Sequence, residues 1–328
     1  MKTSLSQTIR VISCAVPNHP HLLSLAARYG IRYRDASLPD ARRIVARDGK
    51  TFAYLDWRGQ GEAALFLHGG ALTAHSWDLV CLGLRDQWRC LALDMRGHGE
   101  SDWATEYRTE TAVDDIATLL ARHDIERIHL VGNSLGGMIA AHYAAAHPGQ
   151  IASLTLVDVG PKVNFDATQK IRDYIERTDG VESIAAAIEI GMNINPLIDR
   201  DALEYRLRHA MHVGDDGRLY WRQDRHRMHD FQYFLGKVDE IARLAPAITA
   251  PVLIVRGARS RVFSDAAAAQ CASLFRRGEW RRIEDSGHNI QETNPVGLIA
   301  ALESLWSARV ATMPTPKTEP PRQFPAEG

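Results

Sequence analysis

Gly132-Asn133-Ser134-Leu135-Gly136 sets a serine between two glycines, directly after the apolar stretch Arg127-Ile128-His129-Leu130-Val131 and before the helix-forming run Gly137-Met138-Ile139-Ala140-Ala141. A strand that becomes a helix within so few residues forces a strained backbone at the turning point. Flanking glycines remove the side chains that would clash there. The apical residue then projects its hydroxyl from the C-terminal edge of a sheet. Behind it, the N–H of Leu135 falls in the first helical turn, where amides lack intrahelical partners and the dipole favours negative charge. The segment therefore predicts an attacking oxygen on Ser134 and one oxyanion donor on Leu135. Taken alone the pattern also occurs at plain strand-to-helix turns, so the order of the other groups decides its meaning.

Two further segments carry complementary chemistry. His68-Gly69-Gly70-Ala71 follows an apolar strand, and its glycines let the backbone approach the serine closely enough for the N–H of Gly70 to aim at the same point as that of Leu135. His288, in Asp285-Ser286-Gly287-His288-Asn289, stands in a polar loop late in the chain, in a position to serve as the general base of the serine. Histidines 98, 129, 142 and 147 read as solvated or satisfied core groups instead.

The elements that must position these groups alternate. Ala63–Leu67, Cys90–Leu93, Arg127–Val131, Leu154–Val157 and Pro251–Val255 are near-continuous apolar runs suited to parallel strands buried on both faces. Helical patterns fall between them, at Glu110–His123 and Gly136–His147, so the class is α/β with a mostly parallel, doubly wound sheet. Arg43–Ala46 and Thr51–Trp57, joined at Asp48-Gly49, read as an antiparallel hairpin at one edge. Trp280–Ile283 and Val296–Val310 read as the last strand and helix. The alternation stops at Gly160-Pro161 and resumes near Pro251, which divides the chain into an N-terminal extension (1–40), a core (41–161 and 246–310), an inserted helical cap (162–245) and a Pro-rich tail (311–328) expected to be disordered. His19–Tyr29 forms one helix of the extension, either covering the core or contacting another subunit as a homo-oligomer.

Composition bounds the partners. With 45% hydrophobic and 24% charged residues and a formal net charge of -1, the chain has no electrostatic footprint for nucleic acid or an anionic membrane. No apolar run approaches the roughly 18–20 residues that span a bilayer. Cys14, Cys81, Cys90 and Cys271 have no metal-site spacing and read as buried thiols, which favours a reducing, cytoplasmic setting. The chemistry requires no cofactor or metal, and a small neutral or weakly charged substrate is the default.

From about residue 42 to 308 the chain resembles the α/β-hydrolase superfamily. The matching pieces are His68-Gly69-Gly70, the loop Asp94-Met95-Arg96-Gly97-His98-Gly99-Glu100-Ser101-Asp102, the elbow at Ser134, the segment Leu156–Pro161, and Gly287-His288. The resemblance implies Ser134 as nucleophile, His288 as base, and the N–H groups of Gly70 and Leu135 as oxyanion hole. Many such enzymes carry the triad acid in a form like G-x-x-S-D after the strand corresponding to 251–255, but here the run is Gly257-Ala258-Arg259-Ser260-Arg261. An arginine cannot orient the imidazole or stabilise its cation. Asp158, at the end of the preceding strand, and Asp265, which reads as a helix cap, are the substitutes, and Asp158 is preferred. That displaced acid makes the chain similar to bacterial zearalenone lactonases, serine hydrolases that open a macrocyclic resorcylic ester. The likeness implies a small apolar or aromatic ester or lactone as substrate, for which Trp77, Trp103, Tyr205, Tyr220, Trp221, Met228, Phe231 and Phe234 are the candidate pocket residues. A carbon–carbon bond hydrolase or a cofactor-free perhydrolase would use the same triad. A non-catalytic binding protein would leave it idle.

Overall fold

The computed structural model describes residues 19–194, 198–224 and 240–310. Its centre is an eight-stranded sheet in the order β1-β2-β4-β3-β5-β6-β9-β10. These strands are β1 (Asp40–Val45), β2 (Thr51–Asp56), β3 (Ala63–Leu67), β4 (Arg89–Leu93), β5 (Ile128–Asn133), β6 (Ile151–Val157), β9 (Val252–Gly257) and β10 (Gly278–Ile283). β1 pairs antiparallel with β2, and β2 with β4, while all other neighbours are parallel. The edge hairpin and parallel core follow the sequence pattern.

Alternation along the same strands builds two cores, one on each face of the sheet. Leu65, Leu67, Leu91, Leu93, Leu130 and Ile254 face one layer, against α3 (Thr109–Arg122) and α4 (Leu135–Ala146). Ala64, Phe66, Cys90, Ala92, Val131 and Val255 face the other, against α1 (His19–Tyr29), α2 (Asp78–Leu84) and the last helix, Pro295–Val310. Leu22, Leu25 and Ala26 of α1 are buried here, so the apolar face of this helix covers the chain's own core. Cys81, Cys90 and Cys271 are buried free thiols, whereas Cys14 and the Pro-rich tail lie outside the described residues. None of the described helices is long and apolar enough to cross a membrane.

Between β6 and β9 the chain forms a separate layer with its own apolar cluster, including Ile175, Ile188, Leu203, Leu207 and Trp221. It contains α5 (Phe165–Thr178), α6 (Ile184–Ile194) and α7 (Arg200–Ala210). Where only helices were expected, it also holds an antiparallel hairpin, β7 (Met211–Val213) with β8 (Leu219–Trp221). Three-residue strands are too short to show a period-2 pattern, and the turn glycine Gly217, at φ 78°, is the residual signal. Ile241 and Ala245 return to the main core.

Candidate active site

β5 ends at Asn133 and α4 begins at Leu135, leaving Ser134 alone between them. Its backbone, at φ 50° and ψ −114°, occupies a region that costs a non-glycine residue on the order of 1–3 kcal/mol. Three hydrogen bonds hold it there. The Ser134 N–H donates to the Val157 carbonyl at 3.1 Å, and its own carbonyl accepts from the N–H groups of Gly137 at 3.0 Å and Met138 at 3.1 Å. The flanking glycines are sterically required, since a Cβ on Gly132 would lie 2.3 Å from the Gly136 carbonyl oxygen and one on Gly136 would lie 2.4 Å from that of Leu67. Both obstacles are backbone. Gly136→Ala should therefore cost about 1–3 kcal/mol through overpacking and lower activity as the Leu135 N–H shifts. An unchanged thermal midpoint and rate would show that this close approach is dispensable.

The His68–Leu72 loop is pinned against the elbow. The Gly136 N–H donates to the His68 carbonyl at 3.1 Å, and a Cβ on Gly69 would come within 2.7 Å of Asn133 Oδ1. The buried His68 ring accepts at Nε2 from the Met95 N–H at 3.0 Å, so Nδ1 carries the proton and donates to the Gly69 carbonyl at 2.7 Å. Burial, helped by the neighbouring His98, holds the pKa of His68 well below its ordinary value and keeps the ring a neutral strut. Asp94 fixes the far side, accepting from the N–H groups of Ala74 at 2.7 Å and Glu100 at 3.0 Å. Among the described residues, neither the Gly70 N–H nor the Leu135 N–H donates to a backbone carbonyl.

The loop after β10 brings His288 to the same sheet edge. Gly257 permits this, because a Cβ there would stand 2.1 Å from the Gly287 carbonyl oxygen. His288 Nδ1 lies 2.8 Å from Asp158 Oδ2. An ionised carboxylate only accepts, so Nδ1 carries the proton and Nε2 keeps its lone pair. Asp158 is fully buried directly after β6, at φ 52°, its N–H donating to the Val255 carbonyl at 2.7 Å. The Gly257 N–H donates to its Oδ1 at 3.0 Å, and the Ser260 hydroxyl to its Oδ2 at 2.5 Å. The loop that carries an arginine in place of an acid thus supplies two donors to the acid of the neighbouring strand, while Arg261 itself is exposed. Asp265 is elsewhere: it pairs with Arg256 at 2.9 Å and Arg282 at 3.4 Å, and the cap of its helix is Ser264, whose hydroxyl accepts from the Ala267 N–H at 3.1 Å.

Ser134, His288, Gly70 and Leu135 line one cavity of about 210 Å³ that lies beneath α5–α7. The pattern of residues 65–295 matches the family described as alpha/beta hydrolase fold. Over 284 residues the chain is 31% identical to the esterase Rv0045c of Mycobacterium tuberculosis, covering 83% of this chain and 91% of that one. This chain belongs to the α/β-hydrolase family. It is also 26% identical to the 2-(acetamidomethylene)succinate hydrolase of Mesorhizobium japonicum, over 76% of this chain and 90% of that protein. A crystal structure of E-2-(acetamidomethylene)succinate hydrolase superposes with a TM-score of 0.73 at 26% identity, covering 81% of this chain and 98% of the other.

In this α/β-hydrolase the cavity walls differ from the aromatic set expected from sequence. Trp221 does line the cavity, its indole N–H donating to the Ile175 carbonyl at 3.1 Å and to Thr178 Oγ1 at 3.0 Å. Trp77 does not: it is fully buried in the core, against Phe66. Tyr205 is likewise buried, its hydroxyl donating to Asp78 Oδ2 at 2.5 Å to tie the cap to α2. Tyr220 alternates with Trp221 on β8 and so faces the other way, bonding Asp216 at 2.8 Å. Trp103 is 42% exposed and off the cavity. Met228, Phe231 and Phe234 lie outside the described residues. Aliphatic side chains, among them Leu72, Ile171, Ile175, Ile194 and Ile198, take the expected aromatic places.

Other side chains, with no expected role from sequence, tie the Ser134, Asp158 and His288 segments together. Asn133 Nδ2 donates to the Val157 carbonyl at 3.1 Å and the His288 carbonyl at 3.3 Å, joining elbow, acid strand and histidine loop. Arg206 of the cap pairs with Glu292, just beyond the histidine, at 2.9 Å. Asn133 was visible inside the glycine-serine motif itself, whereas nothing local marks Ser260 or Glu292.

Proposed function

We propose that this α/β-hydrolase cleaves carboxylic esters and lactones through an acyl-enzyme on Ser134. The observation that carries the reading is the 2.8 Å contact of His288 Nδ1 with buried Asp158, which leaves Nε2 as a base in the cavity that Ser134 lines. His288 takes the hydroxyl proton as Oγ attacks the carbonyl carbon, and the Gly70 and Leu135 N–H groups hold the resulting oxyanion. Collapse expels the alcohol oxygen, which receives the proton from His288. Water, activated by the same imidazole, then releases the acid and restores Ser134. The esterase among its relatives supports this class of reaction.

A mostly apolar cavity supports a hydrophobic acyl or alcohol portion, and the displaced acid supports a macrocyclic lactone such as zearalenone as a substrate. With a lactone the alcohol stays tethered, so one product carries both a hydroxyl and a carboxylate. Beside a resorcinol ring that carboxylate can leave as carbon dioxide. The test is a panel of p-nitrophenyl esters and lactones including zearalenone, with product masses. Ring opening should appear as the gain of one water, with or without subsequent loss of carbon dioxide. Turnover of a vinylogous diketone with no turnover of any ester or lactone would overturn the proposal.

A further inference from the structure

The inner face of α5 presents Thr168, Ile171, Arg172 and Ile175 to the cavity, the i, i+3, i+4, i+7 spacing of one helix face. Three of these suit an apolar wall or a small polar contact. Arg172 does not. Its Nε is buried without a hydrogen-bond partner, and it forms no ion pair among the described residues, although Glu176 stands one helical turn away. The outer face of the helix satisfies its own polar groups, as in the 2.8 Å bond from Gln169 to Asp173. Arg172 is therefore turned away from solvent-side carboxylates and into the pocket.

The rest of the lining gives it no counter-charge. Among the described residues no aspartate or glutamate lines this cavity. The second cation, Arg206, is already matched by Glu292 at 2.9 Å, with both side chains largely buried. Among the described residues the cavity thus carries one uncompensated guanidinium, set among isoleucines, leucines, Tyr174 and Trp221. Such a group is costly to desolvate alone, and its planar donors match a carboxylate or phenolate oxygen. Gln223, which is 2% exposed and also lines the cavity, leaves its Oε1 buried and without a hydrogen-bond partner.

We propose that Arg172 is a specificity-determining residue that binds an anionic oxygen on the substrate, so that the preferred ester or lactone carries a carboxylate or phenolate on the portion held under the cap. This rests on the ester-hydrolase reading above. Arg172 acts in binding and takes no part in the chemistry at the carbonyl, so its contribution falls mainly on KM.

The experiment compares the p-nitrophenyl half-ester of adipic acid, which is anionic at neutral pH, with its neutral methyl ester. The wild-type protein should favour the anionic ester in kcat/KM by about tenfold or more, the scale of one charge-assisted hydrogen bond. Arg172→Met should lower kcat/KM for the anionic ester by about 10–100-fold, chiefly through KM, and change the neutral ester by less than about threefold. Arg172→Lys, which keeps the charge but loses the planar fork, should recover part of the preference and guards against a folding defect in the first variant. Equal losses on both esters, or a wild type indifferent to the charge, overturn the proposal. Failure of the wild type to hydrolyse either ester overturns the ester-hydrolase reading and the proposal with it. Hydrolysis of the neutral ester alone leaves that reading standing and removes only the role of Arg172.

Discussion

Ser134→Ala should lower kcat for any ester substrate by about 10⁴–10⁶-fold while leaving KM and the thermal midpoint nearly unchanged. The size follows from losing the nucleophile outright, since the remaining oxyanion donors and binding contacts supply only a residual acceleration over water. The specificity of the effect follows from local geometry. The strained backbone is held by hydrogen bonds from the Ser134 N–H and to its carbonyl, all of which alanine retains, and alanine brings the same Cβ to the same φ of 50°. Loss of rate without loss of folding is thus the expected result, measured as steady-state kinetics beside a melting curve. A variant that keeps within about tenfold of the wild-type rate would mean that Ser134 is not the nucleophile.

Asp158→Asn should lower kcat by about 10⁴-fold, the effect seen when a triad acid becomes an amide and the imidazole is held in the wrong tautomer. Three donors converge on this carboxylate: the Gly257 N–H, the Ser260 hydroxyl and His288 Nδ1. An amide has one accepting oxygen, so at least one donor meets an NH₂ group. If that donor is His288, the ring proton moves to Nε2 and the base can no longer accept from Ser134. The buried site should also lose about 1–3 kcal/mol of stability from the unmatched polar group, so the rate must be referred to folded protein. Asp265→Asn is the control. Asp265 is 44% exposed and serves Arg256 and Arg282, so its loss should leave turnover near normal. Near-normal turnover in Asp158→Asn, or a collapse in Asp265→Asn, would reverse the assignment.

The β9 loop shows why the partners of Asp158 are not legible in the sequence. Arg261 marked a missing acid in that loop. What the loop supplies instead, the Ser260 hydroxyl, meets Asp158 across 102 residues of chain. That meeting depends on the parallel register of β6 with β9, in which Val157 lies opposite Val255. The aromatic residues fared worse. Trp77, Tyr205, Tyr220 and Trp221 are all aromatic, yet one lines the cavity and three do not: Trp77 and Tyr205 are buried in packed core, which asks for the same residue types as a pocket, and Tyr220 is on the opposite face of β8 from Trp221.

Residue type and spacing along the chain fixed the elements and their order: parallel strands as continuous apolar runs, the elbow as glycine-serine-glycine between strand and helix, and serine, acid and histidine in succession. These are local properties, set by backbone sterics and by which face of each element must avoid water. Tertiary packing alone decided the order of β3 and β4 in the sheet, the partners of Asp158, the part played by Asn133 between strands, and the inward turn of Arg172. Those contacts join residues far apart in the chain, and no local propensity encodes which distant side chain will occupy the space opposite.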